Sequence, residues 1–221
     1  MNLNPNELAS AVIVVAIMLL VGLPVHEFSH ALAAYRLGDG TAKLFGRLTL
    51  NPIAHFDPVG GSLLALAVIG SAGSLGFGWA KPTPVNPINL EGGRRGEAIV
   101  AAAGPASNLI LAIAGAIPLR YLYANPGLID QFPLLESVLV GFVQINLLLM
   151  IFNFIPIPPL DGSKVMFAFM DRRTEYQIRP MLERYGFFLL FAILFLPPGN
   201  SIGFRIISPI LNGLYGFLVG V

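Results

Sequence analysis

Apolar segments long enough to cross a lipid bilayer are the feature that most restricts the fold of this chain. Three of them run from Leu8 to Ala34, from Ala98 to Leu119 and from Leu134 to Ile155. A helix needs about 20 consecutive apolar residues to span the hydrocarbon core. Only 11% of the residues are charged, against about 25% in a typical soluble domain. The chain is therefore expected to be an all-α polytopic membrane protein.

The expected architecture is a core of three transmembrane helices followed by one or two C-terminal helices. The C-terminal region Tyr185–Val221 is apolar but interrupted by LPPGN, which leaves its number of helices open. No loop is long enough for an added soluble domain, so residues 1–221 are expected to form a single membrane-embedded domain. The formal net charge of +1 and the lack of a basic patch with interleaved aromatic residues argue against nucleic-acid binding.

The segment HEFSH, near the end of the first apolar run, carries three ionisable side chains. Residues four positions apart lie on the same face of a helix, so His26 and His30 are able to hold one metal ion between them. Glu27 lies beside them, where it is able to accept a proton from water at the metal. HExxH is a signature of zinc hydrolases. Ionisable groups inside a membrane are costly, so three together indicate a function.

The third metal ligand is not determined by spacing. A catalytic zinc ion usually has three protein ligands and one open position, and the third histidine of the chain is His55, in the loop NPIAHFDP. A carboxylate is the alternative. Asp161 stands out among the acids because it follows a long apolar segment and the proline-rich stretch NFIPIPPLDG. Glu136 and Glu183, at the edges of other helices, are further carboxylate candidates.

Five motifs in a fixed order resemble those of a known family. HEFSH, NPIAHFDP, GWAKPTPVNP, AGPASN and NFIPIPPLDG are similar to the motifs of the site-2 protease family of intramembrane zinc metalloproteases. The compact chain, without an inserted PDZ or CBS domain, resembles the smaller prokaryotic members. The resemblance implies one zinc ion per chain, bound by His26, His30 and Asp161, with Glu27 as the general base.

Four further residues are candidates for the site. The resemblance places Asn153 near the substrate carbonyl, where its amide is able to stabilise an oxyanion; helix capping or packing is the alternative reading. His55 and Asp57 are predicted to orient a ligand or to contact the substrate, with a structural loop role as the alternative. Asn108, in AGPASN, is predicted to hydrogen-bond to the helix that carries HEFSH, while the small residues of that motif favour close helix packing.

The stretch between the first two long helices is predicted to contain a strand and a re-entrant element. Residues 43–50, KLFGRLTL, partly alternate apolar with polar or small residues, which is a strand pattern. The resemblance places such a strand near the active site, where a substrate is able to pair with its edge. Asp161 must emerge on the same side of the membrane as His30. Two apolar segments, Gly60–Phe77 and Ala98–Leu119, lie between the first and the third long helix. If both crossed the membrane, Asp161 would emerge on the side opposite His30. The glycine-rich Gly60–Phe77 is therefore predicted to enter the membrane without crossing it.

Basic residues predict the orientation of the chain. Eleven of its thirteen Lys and Arg residues lie in two segments, six between the first and second long helices and five after the LDG motif. The positive-inside rule makes this side cytoplasmic, together with the metal site, and places the N-terminus outside. The eleven are Arg36, Lys43, Arg47, Lys81, Arg94, Arg95, Lys164, Arg172, Arg173, Arg179 and Arg184.

These features together predict an intramembrane zinc endopeptidase of the cell membrane, which cuts transmembrane protein substrates near the cytoplasmic face. The alternative is a metal transporter or a metal-sensing membrane protein that uses the same His and Asp ligands. Transporters usually carry repeated broken helices near the midplane. This chain has a single site near one face with a base beside it, which favours the enzyme. The expected partners are the lipid bilayer and the substrate, and the oligomeric state is left open.

Overall fold

The first long element of the chain is one continuous helical rod in three parts. The computed structural model describes residues 5–62, 80–197 and 201–220. The rod consists of α1 (Pro5–Ile17), a π-helical turn (Met18–Gly22) and α2 (Leu23–Arg36). Pro24, in the first turn of α2, has no N–H to continue the regular ladder of hydrogen bonds. The π turn lies directly before it, and such turns often accompany functional sites.

Two single-turn helices, a 3₁₀ turn and six later helices follow the rod in the described residues. Two single-turn helices, α3 (Thr41–Leu44) and α4 (Pro52–His55), precede an extended stretch and a 3₁₀ turn at Pro87–Asn89. The later helices are α5 (Arg94–Ala124), α6 (Pro126–Gln131), α7 (Pro133–Asn153), α8 (Asp161–Phe169), α9 (Arg172–Phe195) and α10 (Ile202–Val219). Two of them begin with side-chain caps, since Asp171 accepts from Thr174 N and Ser201 accepts from Phe204 N.

Among the residues that the structure describes, four helices are long and apolar enough to cross a membrane, namely Ala9–Arg36, Arg94–Ala124, Pro133–Asn153 and Ile202–Val219. The prediction of an all-α polytopic protein with three core spans is confirmed. At the C-terminus there are two helices, α9 and α10, of which α10 has the length and hydropathy of a span.

Helix α5 is the centre of the bundle, because it packs against α2, α7 and α8. Small residues allow the close approach: a Cβ at Gly115 would lie 2.6 Å from Phe142 Cδ1. The largest apolar cluster joins α5, α7 and the end of α10. Its buried members are Ala112, Ala116, Leu119, Val143, Leu147, Met150 and Val219.

One end of the bundle collects the elements that carry the HEFSH and LDG motifs. The last turns of α2 pack against the first turns of α5, since His30 contacts the carbonyl of Val100. Arg179 of α9 pairs with Glu97 of α5 at 3.0 Å, and so holds α9 at the same end. The end of α2 and the start of α5 therefore lie at the same end of the bundle.

The predicted strand at residues 43–50 is wrong. Lys43 and Leu44 end α3, and Gly46 then turns the chain with φ +68°. Arg47 N donates to the carbonyl of Ala42 at 2.8 Å, so the backbone is satisfied locally rather than by a neighbouring strand. No strand occurs in the described ranges 5–62, 80–197 and 201–220. The segment with alternating apolar residues has no neighbouring strand in the described structure. An extended segment needs such a partner to be stable.

The predicted re-entrant element, Gly60–Phe77, lies almost wholly outside the described residues. Its first three positions belong to a helix that begins at Pro58. Asp57 caps this helix, because its carboxylate accepts from Val59 N at 2.9 Å and from Gly60 N at 2.8 Å. The membrane path of the segment stays a prediction.

Candidate active site

Three side chains from two distant parts of the chain meet at the end of α2. His26 Nε2 and His30 Nε2 lie 3.1 Å apart, as one helical turn on a single face requires. Asp161 Oδ2 lies 3.1 Å from His30 Nε2 and 3.4 Å from His26 Nε2. Within the described part of the chain, these residues form the one group of acids and histidines positioned to hold a metal ion, and all three are largely buried.

The spacing of the three ligand atoms fits zinc. Atoms bound tetrahedrally at about 2.0–2.1 Å from a zinc ion lie about 3.3 Å from one another. The three distances here, 3.1, 3.1 and 3.4 Å, match that value. A set of two imidazoles and one carboxylate is also a ligand set of catalytic zinc sites, with the fourth position open. The residues therefore fit the implied metal without a change in backbone.

Asp161 reaches the site because α7 stops early and the chain folds back. The helix ends at Asn153, before a turn that contains Pro156, Pro158 and Pro159, as the prolines predict. Helix α8 then begins at Asp161. Position 162 has no room for a side chain, because a Cβ there would lie 2.6 Å from the carbonyl oxygen of Ile155. The glycine of LDG thus allows α8 to start directly against the end of α7.

The two imidazoles are oriented by α5. His30 Nδ1 lies 2.7 Å from the carbonyl oxygen of Val100, and His26 Nδ1 lies 2.6 Å from Asn108 Oδ1. Hydrogen bonds of this kind set the ring orientation and tautomer of metal-binding histidines. Gly104 lies between these two contacts, and a Cβ there would overlap His30 Nε2 and approach His26 Cε1 at 2.7 Å. The glycine is therefore needed for α5 to pack on the metal-binding rings.

Glu27 is held next to the ligands by the extended segment that precedes α5. Its carboxylate Oε2 accepts from the backbone N–H of Thr83 at 2.8 Å, and its carbonyl accepts from the Thr83 hydroxyl at 3.1 Å. The side chain is 9% exposed. Sequence reasoning missed Thr83, because its contact with the Glu27 carboxylate is made by the backbone N–H and its hydroxyl bonds only to a main-chain carbonyl 56 positions away.

Asp161 has a lowered pKa. Burial by itself raises the pKa of its carboxyl, but the hydrogen bonds with His26 and His30 and the charges of these rings lower it overall. Lys164 Nζ, at 3.7 Å from Asp161 Oδ1, adds a positive charge nearby. The ionised carboxylate, which is the form that binds metal ions, is therefore favoured.

The other residues named as third-ligand candidates lie outside the group. His55 is 1% exposed, and its Nε2 bonds to the carbonyl of Thr49 at 2.8 Å. Glu136 accepts from the hydroxyl of Tyr123, and Glu183 pairs with Arg179. In the described structure each has a protein partner away from the metal ligands.

Asn153 is half-buried at the last position of α7, and its Nδ2 donates to the carbonyl of Leu149 at 3.0 Å. This bond lies within its own helix, one turn back along the chain, and is a local structural contact at the helix end. Its predicted role toward an oxyanion is not tested by this contact and stays a prediction.

A buried carboxylate that sequence reasoning missed supports the site from the loop side. Asp39 is 0% exposed and accepts from Thr41 Oγ1, from Asn86 N at 2.7 Å and from Asn89 Nδ2 at 3.1 Å. Burial raises the pKa of this carboxyl, but the hydrogen bonds outweigh it and lower the pKa overall. Asp39 thus fixes the segment containing Thr83 to the end of α2.

Comparisons with known proteins agree with the arrangement of the site. Residues 131–197, which include Asp161, match the model of peptidase family M50. YwhC of Bacillus subtilis, which carries the name of a zinc metalloprotease, is 39% identical over 89% of this chain and 84% of its own length. Rip2 of Mycolicibacterium smegmatis, named in the same way, is 29% identical over 93% of this chain and 75% of its own. No solved structure gave a significant match.

Proposed function

The chain belongs to peptidase family M50, a family of membrane zinc metalloproteases, and we propose that it hydrolyses peptide bonds of membrane-embedded protein substrates near the cytoplasmic face. The observation that carries the proposal is the convergence of His26 Nε2, His30 Nε2 and Asp161 Oδ2 within 3.4 Å of one another, beside Glu27. A bound zinc ion supplies a Lewis acid that polarises the scissile carbonyl and makes water at the site more acidic.

Glu27 acts as the general base and then as the general acid. Its carboxylate takes a proton from the attacking water and passes it to the leaving nitrogen. The Thr83 N–H, at 2.8 Å from Oε2, holds one carboxylate oxygen, which leaves the other for water. Asn153 is proposed to stabilise the oxyanion through its amide, by a change of side-chain rotamer that releases Leu149.

The extended segment Lys81–Asn86 is proposed to bind the substrate backbone. Its N–H groups at Lys81, Thr83 and Asn86 bond inward, to His55 O, Glu27 and Asp39. Each of these donors precedes a proline, which favours extended backbone. Pro82 and Pro84 have no N–H, so at these two positions the outer edge offers carbonyl acceptors and no donor. A substrate strand supplies the N–H donors that match it, and this pairing replaces the hydrogen bonds lost when a transmembrane helix unwinds.

The active-site end of the bundle is proposed to face the cytoplasm, because the segments around that end, helical and non-helical, carry most of the basic residues. The chain has no cysteine, so single cysteines give a direct test. We expect Leu44→Cys and Glu91→Cys to react with a membrane-impermeant maleimide from the cytoplasmic side. Asp130→Cys, in α6 at the opposite end, is expected to react from outside. Labelling of Leu44→Cys and Asp130→Cys from one side would contradict this topology.

The proposed activity is tested on a panel of single-pass membrane peptides, with the protein reconstituted in lipid vesicles. We expect cleavage that stops on chelation and returns when zinc is added. A Gly-Pro pair near the cut should raise the rate over an Ala-Leu pair by at least about tenfold. Gly and Pro disfavour helix by about 1 and 3 kcal/mol relative to Ala, and each 1.4 kcal/mol corresponds to about tenfold.

Equal membrane insertion of the two peptides is the control for this comparison. Equal cleavage rates would contradict the need for an extended substrate, though not the protease activity. The protease proposal would be contradicted if no peptide of the panel were cleaved and the vesicles took up zinc. That result would support the metal transporter.

A further inference from the structure

A chain of buried amides connects the metal ligand His26 to the middle of α7. Asn108 Oδ1 lies 2.6 Å from His26 Nδ1, and Asn108 Nδ2 donates to Asn146 Oδ1 at 3.1 Å. Asn146 Nδ2 donates in turn to the carbonyl of Phe142 at 2.9 Å. The two asparagines are 0% and 1% exposed. This series of hydrogen bonds therefore runs between α2, α5 and α7, away from water.

The direction of every hydrogen bond in this chain follows from its last member. A backbone carbonyl only accepts, so the group that Asn146 turns toward Phe142 must be its NH₂. Its oxygen then faces Asn108 and accepts from the NH₂ of that residue. This leaves the oxygen of Asn108 toward His26, whose Nδ1 must carry the proton. The lone pair of His26 is thereby on Nε2, the atom that lies 3.4 Å from Asp161 Oδ2.

The second histidine reaches the same tautomer by another route. His30 Nδ1 faces the carbonyl of Val100 at 2.7 Å, which also only accepts, so its lone pair is on Nε2 as well. The acceptor for His30 is main chain and is present whatever the side chain at 100. The acceptor for His26 is an amide that has two possible orientations, and a neighbour has to select one of them.

We propose that Asn146 is a positioning residue for metal binding, which acts by fixing the amide orientation of Asn108 and hence the tautomer of His26. Without an acceptor at 146, the amide of Asn108 loses the partner of its NH₂ inside the bundle. Turning that NH₂ toward His26 requires a lone pair on Nδ1 and moves the proton to Nε2, where it blocks the metal. The inference rests on the proposed metal site and not on the substrate.

The position of Asn146 suits this role. It lies on α7, the helix that leads to Asp161, and its Oδ1 is 3.9 Å from the place where a Cβ at Gly22 would lie. It is therefore enclosed by the π turn that introduces α2. Buried asparagines also join membrane helices without any effect on a ligand, so a test must separate tautomer control from helix association.

Three variants with matched chemistry make this separation by zinc affinity, measured in detergent by competition with a chelator. Asn146→Leu removes the acceptor at similar volume, and we expect it to weaken zinc binding by about 10- to 100-fold, as is typical for partners of metal-binding histidines. Asn146→Asp keeps an acceptor toward Asn108 and should lie within about threefold of the wild type. Gln144→Leu removes an amide from the exposed face of the same helix and should have no effect.

A double variant tests the route through Asn108. In Asn108→Asp, either carboxylate oxygen accepts from His26 Nδ1, so the orientation no longer needs a neighbour. We expect Asn146→Leu to change zinc affinity by less than about threefold in this background, although it lowers thermal stability in both. Nitrogen NMR of His26 in the metal-free protein should report the proton on Nδ1 in the wild type and its redistribution in Asn146→Leu.

Two results would overturn the inference. One is equal weakening of zinc binding by Asn146→Leu and Asn146→Asp, which would indicate helix association alone. The other is wild-type zinc affinity in Asn146→Leu. In either case a wild-type protein that still binds zinc and cleaves the peptide panel would leave the proposed function intact.

Discussion

Replacement of Glu27 by glutamine is expected to abolish peptide cleavage while zinc stays bound. The side chain is next to the metal ligands in sequence but does not belong to the group of ligand atoms. Glutamine keeps the size and an oxygen that accepts from Thr83 N–H, so the local structure should persist. It has no basic carboxylate, and loss of general acid–base catalysis lowers rates by about 10²- to 10⁴-fold.

Zinc content and turnover should be measured on the same preparation of the Glu27→Gln variant. The matched control is Glu91→Gln, which changes an exposed carboxylate and should retain wild-type turnover. Cleavage by Glu27→Gln at near the wild-type rate would rule out the assigned base. Loss of zinc together with activity would show instead that Glu27 is needed to keep the site assembled.

Asp161→Ala is expected to reduce zinc affinity by more than about 100-fold, which exceeds the usual effect of changing a partner of a ligand. The variant removes one of three ligand atoms and leaves His26 and His30 to hold the ion alone. His55→Ala should lower thermal stability, since the ring is 1% exposed, but should keep zinc affinity within about tenfold of the wild type.

Bound zinc after dialysis and affinity by chelator competition measure this difference directly. Retention of the helical circular dichroism spectrum is the control that both proteins are folded. If His55→Ala emptied the site and Asp161→Ala did not, the third ligand would be His55. The proposed arrangement of the active site would then be wrong.

The helical parts of the active site were predictable because a helix has a fixed period. His26 and His30 had to share a face once the first apolar run was helical. Asp161 was marked by its place after an apolar helix and three prolines. Spacing could not choose between Asp161 and His55, and the choice depended on a resemblance to known motifs until the structure brought Asp161 Oδ2 within 3.4 Å of both histidines.

The strand predicted at residues 43–50 shows where sequence patterns fail in this chain. Alternation over a few residues describes which side chains are apolar, but a strand also needs a partner for its hydrogen bonds. Here the turn at Gly46 and the bond from Arg47 N to Ala42 O satisfy the backbone locally. That outcome depends on neighbours in space, about which eight residues of sequence carry no information.

The sequence by itself determined the membrane class, the three core spans and the pair of histidines, since each follows from hydropathy or from the helical repeat. The sequence also predicted a hydrogen bond from Asn108 to the HEFSH helix, but only the tertiary structure decided that its partner is His26 and that the carbonyl of Val100 orients His30. Asn146 is a single polar residue in an apolar helix, and its distance of 3.1 Å to Asn108 arises from the packing of α7 on α5. Gly104 is likewise one small residue among several until α5 meets the imidazole rings. Such contacts join residues far apart in the chain, and no local period encodes them.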